Sequence, residues 1–277
     1  MENMDVIALF VHVDDGLKGF DDHDLFARER YRRDFKLSIA EAVTLFLLFQ
    51  RGGFRHAKAF HAFAARWMRP FFPDVPSYAR FMRRLRDAGD ALEILVNAGL
   101  TEWKGFGSID SSKLPVAHEG RRGAKVFRAS ASYGYTAFGR FWGFKLHLLV
   151  DRQGRIVRWR LTTGSVHDLT PVKEGLLDGL TGMILADGGY VSRDERFRLM
   201  GENLDFVAKP RRNQDEVDRY EWVLRYGKVY KFRQRIESVF NSLKNVMMAV
   251  SNRHHHPAML RVYVLGAILA YQLASIC

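Results

Sequence analysis

From Tyr230 onward the apolar residues recur at helical spacing. With Tyr230 as zero on a helical wheel, Ile236, Val239, Phe240, Leu243, Val246, Met247 and Val250 fill an arc from about 160° to 280°. Tyr230, Arg233, Glu237 and Lys244 fall at roughly 0°, 300°, 340° and 320°, a narrow stripe of mixed charge at the edge of that apolar face. Gln234, Ser238, Asn241, Ser242 and Asn245 take the remaining, solvent-like side. The pattern predicts one helix over Tyr230–Val250 whose charged stripe borders a cleft, because a solvated helix scatters such residues.

The same reading divides the chain. Residues 1–100 are helical in character. Leu37–Gln50 has an apolar face, with Ser38 as its N-cap and Gly52-Gly53 as its stop. A second helix follows at FRHAKAFHAFAARWM, then a Pro-rich break, then a helix after Ser77 with Arg80, Arg83, Arg84 and Arg86 near its start. This outline fits a helix-turn-helix DNA reader and fits a small dimerisation or packing domain equally well. From Lys104 the pattern changes to strands: FGSIDSS, then FWGFKLHLLVD and RIVRWRLTTGS as a hairpin around Gln153-Gly154. A helix from about Thr170, the strand GMILAD, the helix SRDERFRLMGEN and the strand LDFVAK complete the order ahead of the Tyr230 helix. Strands alternating with helices predict an α/β domain with a mixed sheet covered by helices, preceded by a small all-α region. The expected domains are 1–100 and 101–277.

Pro257–Ile276 is nearly continuous apolar sequence, close to membrane-spanning length, but Arg261 and Gln272 interrupt it. A buried last helix is the reading adopted, with no membrane partner.

Composition adds a partner class. The chain of 277 residues has 43 Lys and Arg against 31 Asp and Glu, a formal net charge of +12. That excess points to a polyanion, nucleic acid before a membrane surface. Between Arg121 and Arg160 there are ten basic residues and one acid, Asp151. The single cysteine, Cys277, excludes a disulfide framework and a thiolate metal cluster, and fits a reducing compartment. No export signal is read at the acidic N-terminus.

Three acids stand where chemistry needs them. Asp110 lies within the first strand and Asp187 directly ends the strand MILA, before Gly188-Gly189. Carboxylates at the ends of neighbouring strands can converge outside the sheet, and Glu237 on a helix packed there would complete a hard-oxygen ligand set. Mg²⁺ or Mn²⁺ prefers such ligands, and two such ions support in-line phosphodiester displacement. An ordinary i,i+4 pair between Arg233 and Glu237 explains the stripe alone, but not the stripe together with both aspartates.

These segments resemble the DDE transposases of bacterial insertion sequences. That family's catalytic helix carries Tyr-x2-Arg-x3-Glu-x6-Lys, the spacing of Tyr230, Arg233, Glu237 and Lys244. Asp187–Tyr190 (DGGY), Gly143–His147 (GFKLH) and Val166–Asp168 (VHD) also look like the family's common segments. The likeness runs from about Gly105 to Cys277 and is looser over residues 1–100. It implies a ribonuclease H-like core, with Asp110, Asp187 and Glu237 as catalytic residues and ligands of two Mg²⁺ ions, Mn²⁺ substituting. It implies double-stranded DNA as partner, both element ends and target, bound by a homodimer or larger assembly in the cytoplasm on nucleoid DNA. Between Asp187 and Glu237 lie 49 residues, little room for the β-rich insertion of some relatives.

Further residues fit DNA contact. Tyr230 can stack on or hydrogen-bond to a strand, and Arg233 and Lys244 can hold phosphates. The stretch Gly120–Phe141 reads as a basic loop with Arg121, Arg122, Lys125, Arg128 and Arg140. Its Phe127, Tyr133, Tyr135 and Phe138 can stack on unpaired bases. Lys145, His147 and Asp168 are near-site candidates. His147 points into the cleft or is a hydrogen-bonded histidine at the sheet edge, and Asp168 is a helix cap or a group near the metals. Three functions follow: a transposase, a metal-dependent nuclease on the same core without strand transfer, and a non-catalytic DNA-binding protein.

Overall fold

The computed structural model describes residues 6–18, 36–117, 127, 130–136, 139–211, 215–246 and 256–274. Its contacts separate the chain into two units, one of Leu100–Asn241 and one of Met1–Gly99 with Ser242–Cys277.

The N-terminal part is helical: α1 (Val6–Lys18), α2 (Ile39–Arg51), α3 (Ala57–Trp67), α4 (Tyr78–Asp87) and α5 (Gly89–Ala98). The start of α2 is fixed by a capping box. The Ser38 hydroxyl accepts from the Glu41 N–H at 3.0 Å, and the Glu41 carboxylate accepts from the Ser38 N–H at 2.7 Å. The helix is buried almost all round and ends at Gly52, as its sequence predicts. The single helix expected after Ser77 is two. It breaks at the buried Ala88, which lets Phe81 and Leu85 of α4 and Leu92 and Val96 of α5 all reach the interior. Ser77 makes no side-chain capping bond. Arg84 is buried and its Nε donates to the Leu37 carbonyl at 2.9 Å, so it holds the fold while Arg80, Arg83 and Arg86 remain exposed.

The second unit is built on six strands: β1 (Phe106–Pro115), β2 (Ser132–Thr136), β3 (Gly139–Asp151), β4 (Ile156–Thr163), β5 (Gly182–Ala186) and β6 (Leu204–Ala208). The helices α6 (Arg193–Gly201), α7 (Glu216–Tyr230) and α8 (Gln234–Asn241) complete it. The sheet order is β2-β3-β1-β5-β6, with β4 also on β3. Strand β3 pairs antiparallel with β1, β2 and β4, whereas β1–β5 and β5–β6 are parallel. Since β3 meets β1 on one edge, β2 and β4 share its other edge end to end, at residues 139–143 and 144–150. The β3–β4 hairpin turns at Gly154 (φ +88°), and the Asp151 carboxylate accepts from the Gln153 and Arg155 N–H groups at 2.9 Å each.

Alternation along β5 covers both faces of the sheet. Ile184 joins Ile109, Leu149, Phe206 and Leu199 in one core, while Leu185 joins Val207 and Tyr226 of α7 in the other. This is the mixed α/β sheet flanked by helices, with an all-α N-terminal region, that the sequence pattern predicts.

Three details differ. Strand β2 lies inside the stretch read as a loop; its Gly134 fits tightly against Phe141 and Gly164, a contact that hydrophobic spacing does not show. The helix expected from Thr170 shrinks to one wide turn, Val172–Leu176, because Gly175 turns the backbone to φ +90°. The expected Tyr230–Val250 helix is segmented. A tight turn at Lys231–Arg233 separates α7 from α8, and a wide turn follows at Ser242–Val246.

The last segment is a correction to the expected 101–277 domain. Residues 242–277 belong with the N-terminal helices. The helix α9 (Pro257–Ala274) buries its apolar surface against α2 and α5. By length and composition it could cross a membrane, but most of it is buried inside the protein. Its two polar interruptions find partners there. Gln272 donates to the Val96 carbonyl at 3.0 Å, and Arg261 pairs with Glu93 and, at 2.8 Å, with Asp90.

Candidate active site

Asp110 sits in mid-β1 opposite Leu148 of β3, and Asp187 follows the last residue of β5. The parallel β1–β5 pairing (Phe106–Ser108 with Met183–Leu185) brings the two aspartates to one region of the sheet. Glu237 is on α8, whose Ile236, Val239 and Phe240 are buried as the wheel predicts. The Asp110 side chain is only 16% exposed and that of Glu237 61%, so the trio runs from the interior to solvent.

Arg233 stands among the three. Its Nη2 lies 2.6 Å from Asp110 Oδ2 and 4.0 Å from Asp187 Oδ2, and its Nη1 lies 3.1 Å from Glu237 Oε1. The tight turn before α8 carries the guanidinium to this position. Burial works against its charge, but Asp110 first, then Tyr230, Asp187 and Glu237 outweigh it and raise its pKa. Burial pushes Asp110 up to about 7; Arg233 pulls it back and the Asp187 charge adds to the rise. The remaining oxygens are oriented by backbone. Ser111 N–H donates to Asp110 Oδ1 and Gly189 N–H to Asp187 Oδ1, both at 2.8 Å.

Among the described residues no three His, Cys, Asp or Glu side chains are close enough together to hold one metal ion. The carboxylates converge on the guanidinium, which supplies the positive charge there. The donor set itself is all carboxylate oxygen and carries excess negative charge around the buried Asp110, chemistry that fits Mg²⁺ or Mn²⁺.

A second polar layer lies beside Asp110. Asp168 Oδ1 accepts from Ser111 Oγ at 2.7 Å and from Lys145 Nζ at 2.9 Å, and Lys145 also donates to the Val166 carbonyl. Burial would raise the Asp168 carboxyl, but the hydrogen bonds from Lys145 and Ser111 outweigh it and hold it below its ordinary value. Asp168 is thus an ion-paired partner of Lys145 near the site, and no helix cap is seen there. His147 is fully buried between β1 and β4, not at a sheet edge. Its Nε2 is 2.9 Å from Thr162 Oγ1, and burial depresses its pKa to about 4.

Tyr230 is the last residue of α7, and its hydroxyl donates to the Ala186 carbonyl at 3.2 Å, tying the helix end to β5 beside Asp187. Burial lifts its pKa to about 12. Lys244 lies in the Ser242–Val246 turn of the other unit. Arg121, Arg122, Lys125, Arg128 and Phe138 lie outside the described residues. Arg140 is exposed over the Tyr133 ring, 5.0 Å from its centroid, and Tyr135 is exposed. Phe127, expected to stack on bases, is buried instead and packs edge-on against Phe144.

Two neighbours are given no role at the site by the sequence reading. Ser111 links Asp110 to Asp168, and only its position next to Asp110 could have marked it. Tyr190 closes the DGGY segment; it is fully buried, its hydroxyl has no hydrogen-bond partner among the described residues, and burial followed by Asp110, Asp168 and Asp187 raises its pKa well above ordinary.

Comparison with known proteins bears on this geometry. A family model described as Transposase DDE domain matches residues 100–257. The cryo-EM structure of a piggyBac transposase synaptic complex with hairpin DNA is similar in fold. It has a TM-score of 0.56 at 12% identity, over 99% of this chain and 76% of that one. No curated protein matches. The matched residues span more than half of the chain and take in Asp110, Asp187 and Glu237 together, so the chain belongs to the DDE transposase family.

Proposed function

We propose that the protein is a DNA transposase that acts on the ends of its own element. It binds the terminal inverted repeats as a homodimer or larger assembly, hydrolyses a phosphodiester bond to free a 3′-OH, and joins that end to target DNA. The observation that carries this reading is the convergence of Asp110, Asp187 and Glu237, from three separated stretches of sequence, on one guanidinium.

Asp110, Asp187 and Glu237 are the residues that would hold two Mg²⁺ or Mn²⁺ ions. When bound, such ions activate the attacking water or hydroxyl and stabilise the leaving oxygen. Arg233 gathers the carboxylates and presents the cation nearest to the reacting phosphate. Ser111 and Gly189 fix the aspartate rotamers through their backbone N–H groups. Tyr230 anchors the end of α7 next to Asp187. Arg140 and Tyr133, with Arg121, Arg122, Lys125 and Arg128 nearby in sequence, and Lys244 supply DNA contacts along the backbone.

The test is cleavage and joining of DNA carrying the element ends, with Mg²⁺ or Mn²⁺. Asp110→Ala, Asp187→Ala and Glu237→Ala each abolish cleavage while leaving the folded circular dichroism spectrum in place. Cleavage retained in all three variants would end the proposal. Cleavage without joining would identify a metal-dependent nuclease, and binding without cleavage a DNA-binding protein.

A further inference from the structure

The helix α7 has two apolar faces. Trp222, Tyr226, Val229 and Tyr230 pack on the sheet. On the other side Val217, Tyr220, Val223 and Leu224 are 57% to 69% exposed. On the helical wheel these four and Gly227 share an arc of about 120°. A surface helix needs one apolar face, and four large exposed side chains on one stripe exceed the scattered apolar residues of an ordinary surface.

Gly227 sits in the interior of α7, where glycine costs roughly 0.5–1 kcal/mol relative to alanine. Nothing among the described residues requires it: an added Cβ would meet only Val223 Cγ1, at an ordinary 3.5 Å. A glycine on an exposed helical stripe, not needed by its own fold, permits close approach of another backbone.

The charges choose the occupant. Against the basic excess of the chain, α7 carries three acids (Glu216, Asp218, Glu221) and three bases (Arg219, Arg225, Lys228), no surplus for a polyanion. Glu221 and Lys228 lie seven residues apart on the same side of the stripe, both exposed. In an antiparallel pair of helices, residues on the same flank face one another. Two copies of α7 packed antiparallel therefore bring Glu221 of each toward Lys228 of the other, while the apolar stripes meet between them. We infer that the outer face of α7 is a self-association surface that joins two copies of this chain about a two-fold axis. The inference deepens the multimer part of the proposed function and stands on exposure and charge, independently of metal chemistry or cleavage.

Sedimentation equilibrium of the full chain without DNA, together with cleavage assays, tests it. The wild type self-associates, and Leu224→Glu weakens the dimer about tenfold or more. Glu221→Lys and Lys228→Glu each weaken it about two- to fivefold, and the double swap restores it. These swaps at exposed positions keep the test decisive if Leu224→Glu disturbs folding. A monomeric wild type at about 0.1 mM, a dimer indifferent to Leu224→Glu, or a double swap that fails to restore would overturn the inference. So would loss of DNA binding in Leu224→Glu with self-association intact, which would give this face a different occupant. A dimer with this behaviour that fails to cleave DNA would leave the surface standing and remove the catalytic reading.

Discussion

Arg233 and Asp110 form the shortest ion pair of the candidate site: Nη2 to Oδ2 is 2.6 Å, and both side chains are 16% exposed. The pair joins residues 123 positions apart, and it ties the turn before α8 to the middle of β1. The buried carboxyl sits near Asp187 and Asp168, so the guanidinium, ahead of the Ser111 N–H, is the main limit on the rise of its pKa.

Replacing Arg233 with Gln removes that limit. The Asp110 carboxyl, at about 7 in the parent, then titrates at higher pH and is protonated at neutrality. Infrared or carbon NMR titration of the aspartate carboxyls of the metal-free protein reads this directly. Arg233→Lys keeps the charge and retains most of the parent value. A midpoint for Asp110 that does not rise in Arg233→Gln would refute the assignment of the guanidinium as its counter-charge.

His147 gives a pH dependence of the opposite sign. Its folded pKa of about 4 is depressed from the ordinary 6.5, so the unfolded chain binds more protons between those values. The histidine's contribution is present above pH 6.5 and is lost as pH falls toward 4, on the order of 3 kcal/mol in all. Asp110, with a raised folded pKa, acts oppositely: its stabilisation is greatest at acid pH and is lost as pH rises to about 7. The two overlap, so the comparison needed is between the parent and His147→Gln. Urea midpoints of the two should converge as pH falls from 7 to 5; a constant gap would show that His147 does not titrate in this way.

The Lys145–Asp168 pair is mostly shielded, with side-chain exposures of 10% and 29%. Removing one partner strands the other charge, so Lys145→Met should destabilise the protein by about 2–4 kcal/mol. It should also raise the Asp168 pKa, since the Lys145 hydrogen bond is the strongest influence lowering it. Chemical denaturation measures the first effect and NMR titration the second. A loss under about 0.5 kcal/mol, the size of an exposed pair, would mean the site is wetter than its geometry implies.

Gly182 opens β5 at φ +100°, and a Cβ there would collide with the Gly105 carbonyl oxygen. Gly182→Ala should cost more than about 1 kcal/mol, from the backbone conformation alone, with the collision added. The thermal midpoint gives the answer; an unchanged value would mean the entry to β5 relaxes freely.

Much of this site is legible in the chain. The periodicity of Ile236, Val239 and Phe240 places the buried face of α8 correctly, and the short strand-like runs between turns and helices yield β1, the β3–β4 hairpin, β5 and β6. Local turn chemistry at Ser38 and Gly154 is equally readable. What is lost depends on contacts between distant residues. No spacing rule reveals that Arg233 turns back to β1, because an ideal wheel ignores the tightening at Lys231–Arg233. The Ser111–Asp168–Lys145 network joins two strands and one loop in space only. The placement of α9 with α2 and α5 is a matter of matching apolar surfaces, which hydropathy records without naming the partner.

The parallel β1–β5 pairing has a consequence for how the protein is made. Its two strands are separated by the whole β2–β3–β4 excursion, whereas the β3–β4 hairpin closes over a few residues. Local closure precedes long-range closure, so the hairpin forms early and the Asp110–Asp187 neighbourhood late. Glu237 arrives later still from the ribosome, and a nascent chain therefore carries no assembled carboxylate trio until the unit of Leu100–Asn241 is nearly complete.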